Sequence, residues 1–133
     1  MKVIICERRI KERKETERLL LEYAARKVIG ISIEDFMSVS ECIDSGCRAD
    51  VIFVSDSSGA GSCIDSCREL RDCGCGAPVI IISSDPSAMQ DAFEVDAFRF
   101  RLYPICVYEL FSDLDEIYAG LVSGGKGLLL ESR

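Results

Sequence analysis

Ser55, Asp56, Ser57 and Ser58 crowd the point where a run of four apolar residues, Val51-Ile52-Phe53-Val54, gives way to Gly59. A serine there becomes a nucleophile only if a base activates it. The sequence contains no histidine, which removes the usual general base, the commonest metal ligand and any histidine phosphotransfer site. Thiols form the second concentration of reactive groups. Cys63, Cys67, Cys73 and Cys75 follow a C-x3-C-x5-C-x-C spacing, which could serve a zinc or redox site. Zinc pairs sit on turns, whereas Cys63 and Cys67 fall on the apolar face of a predicted helix and read as small buried hydrophobes. Cys73 and Cys75, flanked by Gly74 and Gly76, read as an exposed, reactive pair. The glycines build no phosphate loop, because no G-K-[ST] occurs.

Apolar runs of this kind, bounded by small polar residues, read as strands buried on both faces of a parallel sheet, and ligands gather at the carboxyl ends of such strands. Val3-Ile4-Ile5-Cys6, Val51 to Val54 and Val79-Ile80-Ile81-Ile82 are three of them. Ile31 to Phe36 partly alternates, as a strand nearer the edge would. Ala97 to Leu102 places Phe98, Phe100 and Leu102 on one side and Arg99 and Arg101 on the other. Between them the chain carries helical spacing. Ile10, Leu20, Leu21, Ala24 and Val28 mark a first helix closed by Gly30. Ser38 opens a short helix in capping-box form with Glu41, and Ser62 caps the helix of Cys63, Ile64, Cys67 and Leu70. Asp85-Pro86 starts a helix presenting Met89, Ala92 and Phe93. Val107, Leu110, Phe111, Leu114, Ile117, Tyr118 and Leu121 mark the last, which Ser123-Gly124-Gly125-Lys126-Gly127 is expected to break. Five strands alternating with five helices give an α/β fold with a doubly wound five-stranded parallel sheet.

With 133 residues the chain makes one domain. Its net charge of −7, from 16 basic and 23 acidic residues, argues against a general nucleic-acid-binding surface within this segment. No secretory signal or membrane span is read, so the 8 cysteines are expected as free thiols in a reducing, cytoplasmic setting.

Val3 to Cys6, Asp50 to Val54, Ala77-Pro78-Val79-Ile80-Ile81-Ile82-Ser83 and above all Ala92-Phe93-Glu94-Val95-Asp96-Ala97-Phe98-Arg99-Phe100, followed by Pro104, resemble response-regulator receiver domains, in particular those preceding LytTR-type DNA-binding domains. The resemblance runs from residue 2 to about residue 121. It implies the (βα)5 flavodoxin-like receiver fold over residues 1–121. Residues 122–133 would be a linker, with Leu128-Leu129-Leu130-Glu131-Ser132-Arg133 as the start of a missing output domain. A working receiver of two-component phosphorelay signalling holds Mg²⁺ with acidic residues after the first strand and phosphorylates an aspartate ending the third. A Ser or Thr ending the fourth strand and a lysine before a proline bind the phosphoryl oxygens.

On this sequence the resemblance puts the acidic pair at Glu7 and Arg8, the phosphoacceptor at Ser55, the hydroxyl at Ser83 and the lysine at Tyr103. Only Ser83 matches outright, and Glu7 is a lengthened acid. Four departures, three of which (Arg8, Ser55 and Tyr103) remove a charge the mechanism needs, imply a pseudo-receiver that is not an enzyme, has no metal site or other cofactor, and has lost Mg²⁺ binding. Asp56 could replace Ser55 as acceptor if a local bulge shifted the register. The resemblance further implies a partner or homodimer surface on the last strand and its flanking helices, with Arg99, Phe100 and Arg101 as candidates, controlling an attached or partner DNA-binding domain. The alternative reading is a module sensing thiols through Cys73 and Cys75, or a ligand in the altered pocket.

Overall fold

The computed structural model describes residues 1–59 and 61–131. Five parallel strands form one sheet in the order β2-β1-β3-β4-β5. They are β1 (Lys2–Cys6), β2 (Ser32–Phe36), β3 (Val51–Ser55), β4 (Val79–Ser83) and β5 (Arg99–Leu102). The helices between them are α1 (Ile10–Lys27), α2 (Val39–Asp44), α3 (Cys63–Asp72), α4 (Met89–Glu94) and α5 (Val107–Glu131). This is the flavodoxin-like doubly wound order, whose switch point lies between β1 and β3.

Burial explains the composition of each strand. Every residue of β3 and β4 is buried, whereas the edge strands β2 and β5 have no buried residue. Alternation sorts the central side chains into two layers. Ile4, Cys6, Ile52, Val54, Val79 and Ile81 pack under α2, α3 and α4. Val3, Ile5, Val51, Phe53, Ile80 and Ile82 meet Leu19, Leu20 and Tyr23 of α1 and Leu110, Leu114 and Ile117 of α5.

Several helix expectations need correction. The buried face of α1 is Thr16, Leu19, Leu20, Tyr23 and Ala24, while Ile10, Leu21 and Val28 are exposed. That helix ends at Val28 in the left-handed region rather than at Gly30, with Ile29 N–H bonded to Ala24 O at 3.0 Å. Of the residues expected inward on α4 only Ala92 is buried; Phe93 is 79% exposed, because the helix has only six residues and Pro86–Ala88 forms a 3₁₀ turn before it. Phe98 precedes β5, so strict alternation does not bind it. It packs in the α1/α5 layer while Phe100 packs in the other.

Helix α5 continues through Ser123-Gly124-Gly125-Lys126-Gly127, where a break was expected, and takes in Leu128 to Leu130 on its way to Glu131. A helix already nucleated on buried Leu110, Leu114 and Ile117 propagates at a cost of only about 1 kcal/mol per glycine. Ser132 and Arg133 lie outside the described residues. No helix among the described residues is long and apolar enough to cross a membrane.

Candidate functional site

Four chain segments converge at the carboxyl ends of β1, β3, β4 and β5. Glu7 follows β1 and is only 2% exposed, so its carboxylate must find partners inside the protein. Four side chains supply them. Ser55 Oγ donates to Glu7 Oε2 at 2.8 Å, and the Ser57 hydroxyl donates to the same oxygen. Arg9 and the Tyr103 hydroxyl each donate to Oε1 at 3.0 Å. The Arg9 guanidinium also lies over the Tyr103 ring, 5.1 Å from its centroid, a cation–π contact. Burial alone would push the Glu7 carboxyl up, but the hydrogen bonds from Ser57, Arg9, Ser55 and Tyr103 outweigh it and hold the group below its ordinary value. Burial, then the neighbouring Glu7 charge, pushes the Tyr103 phenol up, so it stays protonated and donates.

The loop after β3 is shaped by its own hydroxyls. Ser58 Oγ donates to Ser55 O at 2.6 Å, and Ser57 N–H to Ser55 Oγ at 3.2 Å. Ser58 O in turn accepts from Val39 N–H at 2.7 Å, tying this loop to the first turn of α2.

Asp56 leaves the strand in another direction from Ser55. Its Oδ2 accepts from Ser84 N–H at 2.7 Å and from Ser84 Oγ at 3.0 Å. Burial works to raise the Asp56 carboxyl, but these bonds, with help from the Ser83 and Cys63 side chains, hold it low. Ser83 is buried and accepts from Asp85 N–H at 3.0 Å. Beside the pocket, Arg9, Lys11, Glu12, Ser84, Tyr103 and Pro104 line an open cleft of ≈ 360 Å³.

The structure thus brings Glu7, Ser55 and Tyr103 into contact and places Asp56 and Ser83 on the β4 side. It does not bring in Arg8 as the cation. That side chain is exposed, and only its backbone N–H reaches the site, donating to Ser57 Oγ at 3.2 Å. The guanidinium in the pocket belongs to Arg9. The pair Arg8-Arg9 announced a cation after β1; which of the two folds back is decided by the path into α1, which begins at Ile10. Ser57, also missed, was visible only as one hydroxyl among several in the loop.

Arg99 and Arg101 face α5. Arg101 grips the buried Asp113 through two bonds of 2.8 and 2.7 Å and reaches Glu109 at 2.7 Å. Arg99 bonds Glu116 at 2.8 and 2.7 Å and lies 3.3 Å from Asp113. Phe100 is half-buried against the α2/α3/α4 layer. Among the thiols, Cys63 and Cys67 are buried, Cys73 is exposed and Cys75 intermediate. The Cys73 and Cys75 sulfurs donate to the carbonyls of Leu70 and Cys47, at 3.0 and 3.8 Å.

No family model matches the sequence, and no curated protein does. Solved structures do match the fold. The response regulatory domain of protein mrkE from Klebsiella pneumoniae superposes with a TM-score of 0.76 at 18% identity, covering 90% of this chain and 97% of that one. A response regulator receiver protein from Pseudoalteromonas atlantica gives 0.75 at 17%, covering 91% and 99%. A DNA-binding response regulator of the LuxR family from Staphylococcus aureus gives 0.69 at 16%, covering 87% and 97%. Strand order, helix placement and these likenesses together assign the chain the receiver fold of response regulators.

Proposed function

We propose that this domain is a receiver that has lost phosphoryl transfer and works through protein contacts, controlling an attached LytTR-type DNA-binding domain. The observation that carries this reading is the Glu7 carboxylate, whose two oxygens are already spent on Ser55, Ser57, Arg9 and Tyr103.

Mg²⁺ demands several oxygen ligands in octahedral array and takes one or two carboxylates besides phosphate oxygens and water. The pocket supplies one carboxylate facing a guanidinium, while the Asp56 carboxylate is engaged with Ser84. Among the described residues no group of three or more histidine, cysteine, aspartate or glutamate side chains could hold a metal ion. The donor set does not fit the ion. The Ser55 hydroxyl donates to Glu7, a carboxylate held below its ordinary value and therefore a weak base, and Tyr103 brings no positive charge for a phosphoryl group.

A receiver is a two-state element normally biased by phosphate. Without that bias the domain is held in one state or moved by a binding partner. The β5 edge and its flanking helices supply the surface for a homodimer or partner, with exposed Met89, Phe93 and Leu102 around the half-buried Phe100. Arg99 and Arg101 contribute to it as a charged lattice anchored on α5.

Light scattering on the full chain with and without acetyl phosphate and Mg²⁺ tests this. The oligomeric state is expected to be the same in both; a donor-dependent shift in mass would overturn the proposal.

A further inference from the structure

The amino-terminal edge of the sheet carries a second cluster that the receiver chemistry does not use. Cys42 ends the buried face of α2, and Cys47 lies five residues on, after the helix has closed. Their sulfurs are 3.7 Å apart. The closure fixes that approach. Cys47 N–H bonds Cys42 O at 3.2 Å and Gly46 N–H bonds Ile43 O at 3.0 Å, with Gly46 at φ 102°. This is a Schellman closure, in which the residues flanking the turn normally touch as hydrophobes. Here both are thiols, and their exposures differ. Cys42 is fully buried, whereas Cys47 is half-buried and lines an open cleft of ≈ 510 Å³ with Arg48, Cys73, Gly74 and Cys75.

We propose that Cys42 and Cys47 are a reversible disulfide pair, oxidised by hydroperoxides that enter through this cleft. The Cys47 thiolate attacks a peroxide oxygen; the O–O bond breaks, water leaves, and Cys47 becomes a sulfenic acid. The Cys42 sulfur then attacks the Cys47 sulfur, the S–O bond breaks, and the Cys42 proton departs with the second water. Two thiols and one hydrogen peroxide give one disulfide and two waters. The sulfurs must close from 3.7 Å to a bond of about 2.05 Å, a movement of the side chains and the turn that joins them.

Burial and the adjoining Cys42 push the Cys47 thiol up, so its oxidation is slow near neutrality and quickens as pH rises. The bond would also bear on the site at the carboxyl end of the sheet. Helix α2 runs from the thiol pair to Val39, whose N–H holds the Ser55–Ser58 loop through Ser58 O at 2.7 Å.

The sequence offers a clean assay, because the tryptic peptide 28–48 contains Cys42 and Cys47 and no other cysteine. The folded full chain is treated with hydrogen peroxide, then alkylated and digested. The expected peptide 28–48 lacks two hydrogens, resists alkylation, and recovers with dithiothreitol. Cys47→Ser and Cys42→Ala are expected to abolish the loop, and Cys73→Ser to leave it intact. The proposal is overturned if peptide 28–48 alkylates fully while Cys73 or Cys75 is oxidised, or if the loop forms only in urea-unfolded protein.

Discussion

Arg9 closes on Glu7 from two directions, its guanidinium donating to Oε1 at 3.0 Å and its backbone N–H to Oε2 at 3.3 Å. A buried carboxylate stripped of the guanidinium that faces it loses most of the compensation for its desolvation. Arg9→Ala is therefore expected to destabilise the domain by roughly 2–3 kcal/mol. Arg8→Ala, at an exposed position, is expected to stay within about 0.5 kcal/mol. Urea unfolding of the two variants checks the assignment; equal losses would return the cation to Arg8.

Two carboxyl groups predict opposite pH dependences. The Glu7 group lies below its ordinary value of 4.5 when folded, so its stabilisation is complete above that value and is lost as pH falls through the folded one. Asp35, at an exposed position of β2, is pushed up to about 7 by partial desolvation and by the neighbouring Glu17. The folded state then binds the extra proton, and stability declines as pH rises from about 4 to about 7. Glu7→Gln should flatten the acid limb of a stability–pH curve. Asp35→Asn should flatten the neutral limb, and a neutral slope unchanged in that variant would contradict the Glu17–Asp35 coupling.

Ser55→Asp puts a second carboxylate where the Ser55 hydroxyl now donates to Glu7 at 2.8 Å. Losing that donor and adding a like charge is expected to cost roughly 2–3 kcal/mol at pH 7. Acid should restore much of the loss by protonating one of the pair. Thermal unfolding at pH 5 and 7, with and without Mg²⁺, reads the effect. A variant as stable as the parent at pH 7 without added metal would show that the pocket tolerates a second charge.

The two arginines of β5 carry different weights. Arg101 pairs bidentately with Asp113, which is 1% exposed, so Arg101→Ala should cost roughly 3 kcal/mol by leaving a charge buried. Arg99 pairs mainly with the exposed Glu116, and Arg99→Ala should cost about 1 kcal/mol or less. Denaturant midpoints of the two variants separate them, and a larger loss at Arg99 would reverse the ranking.

What the sequence made legible follows from period. Val51 to Val54 and Val79 to Ile82 are apolar without interruption and lie buried in the central strands, and the partial alternation of Ile31 to Phe36 marked an edge. Ser62 capped α3 in a full capping box with Asp65. The misreadings arose where side-chain direction depends on a neighbour distant in sequence. Phe93 looked like core until a short α4 turned it outward, and Phe98 changed layer by falling just before β5. In the pocket, residue types told which charges were missing, yet the choice of Arg9 over Arg8 came from the loop between β1 and α1. The proximity of Cys42 to Cys47 arises from a helix closure at Gly46, a turn geometry that residue spacing alone does not reveal.

The central claim concerns charge at the carboxyl ends of β1, β3 and β4, and intact-mass measurement tests it most directly. The full chain is incubated with acetyl phosphate and Mg²⁺, with peptide mapping of residues 49–68, which carry both Ser55 and Asp56. The account predicts no added phosphoryl mass. Stoichiometric labelling at Asp56, lost in Asp56→Asn, would contradict it.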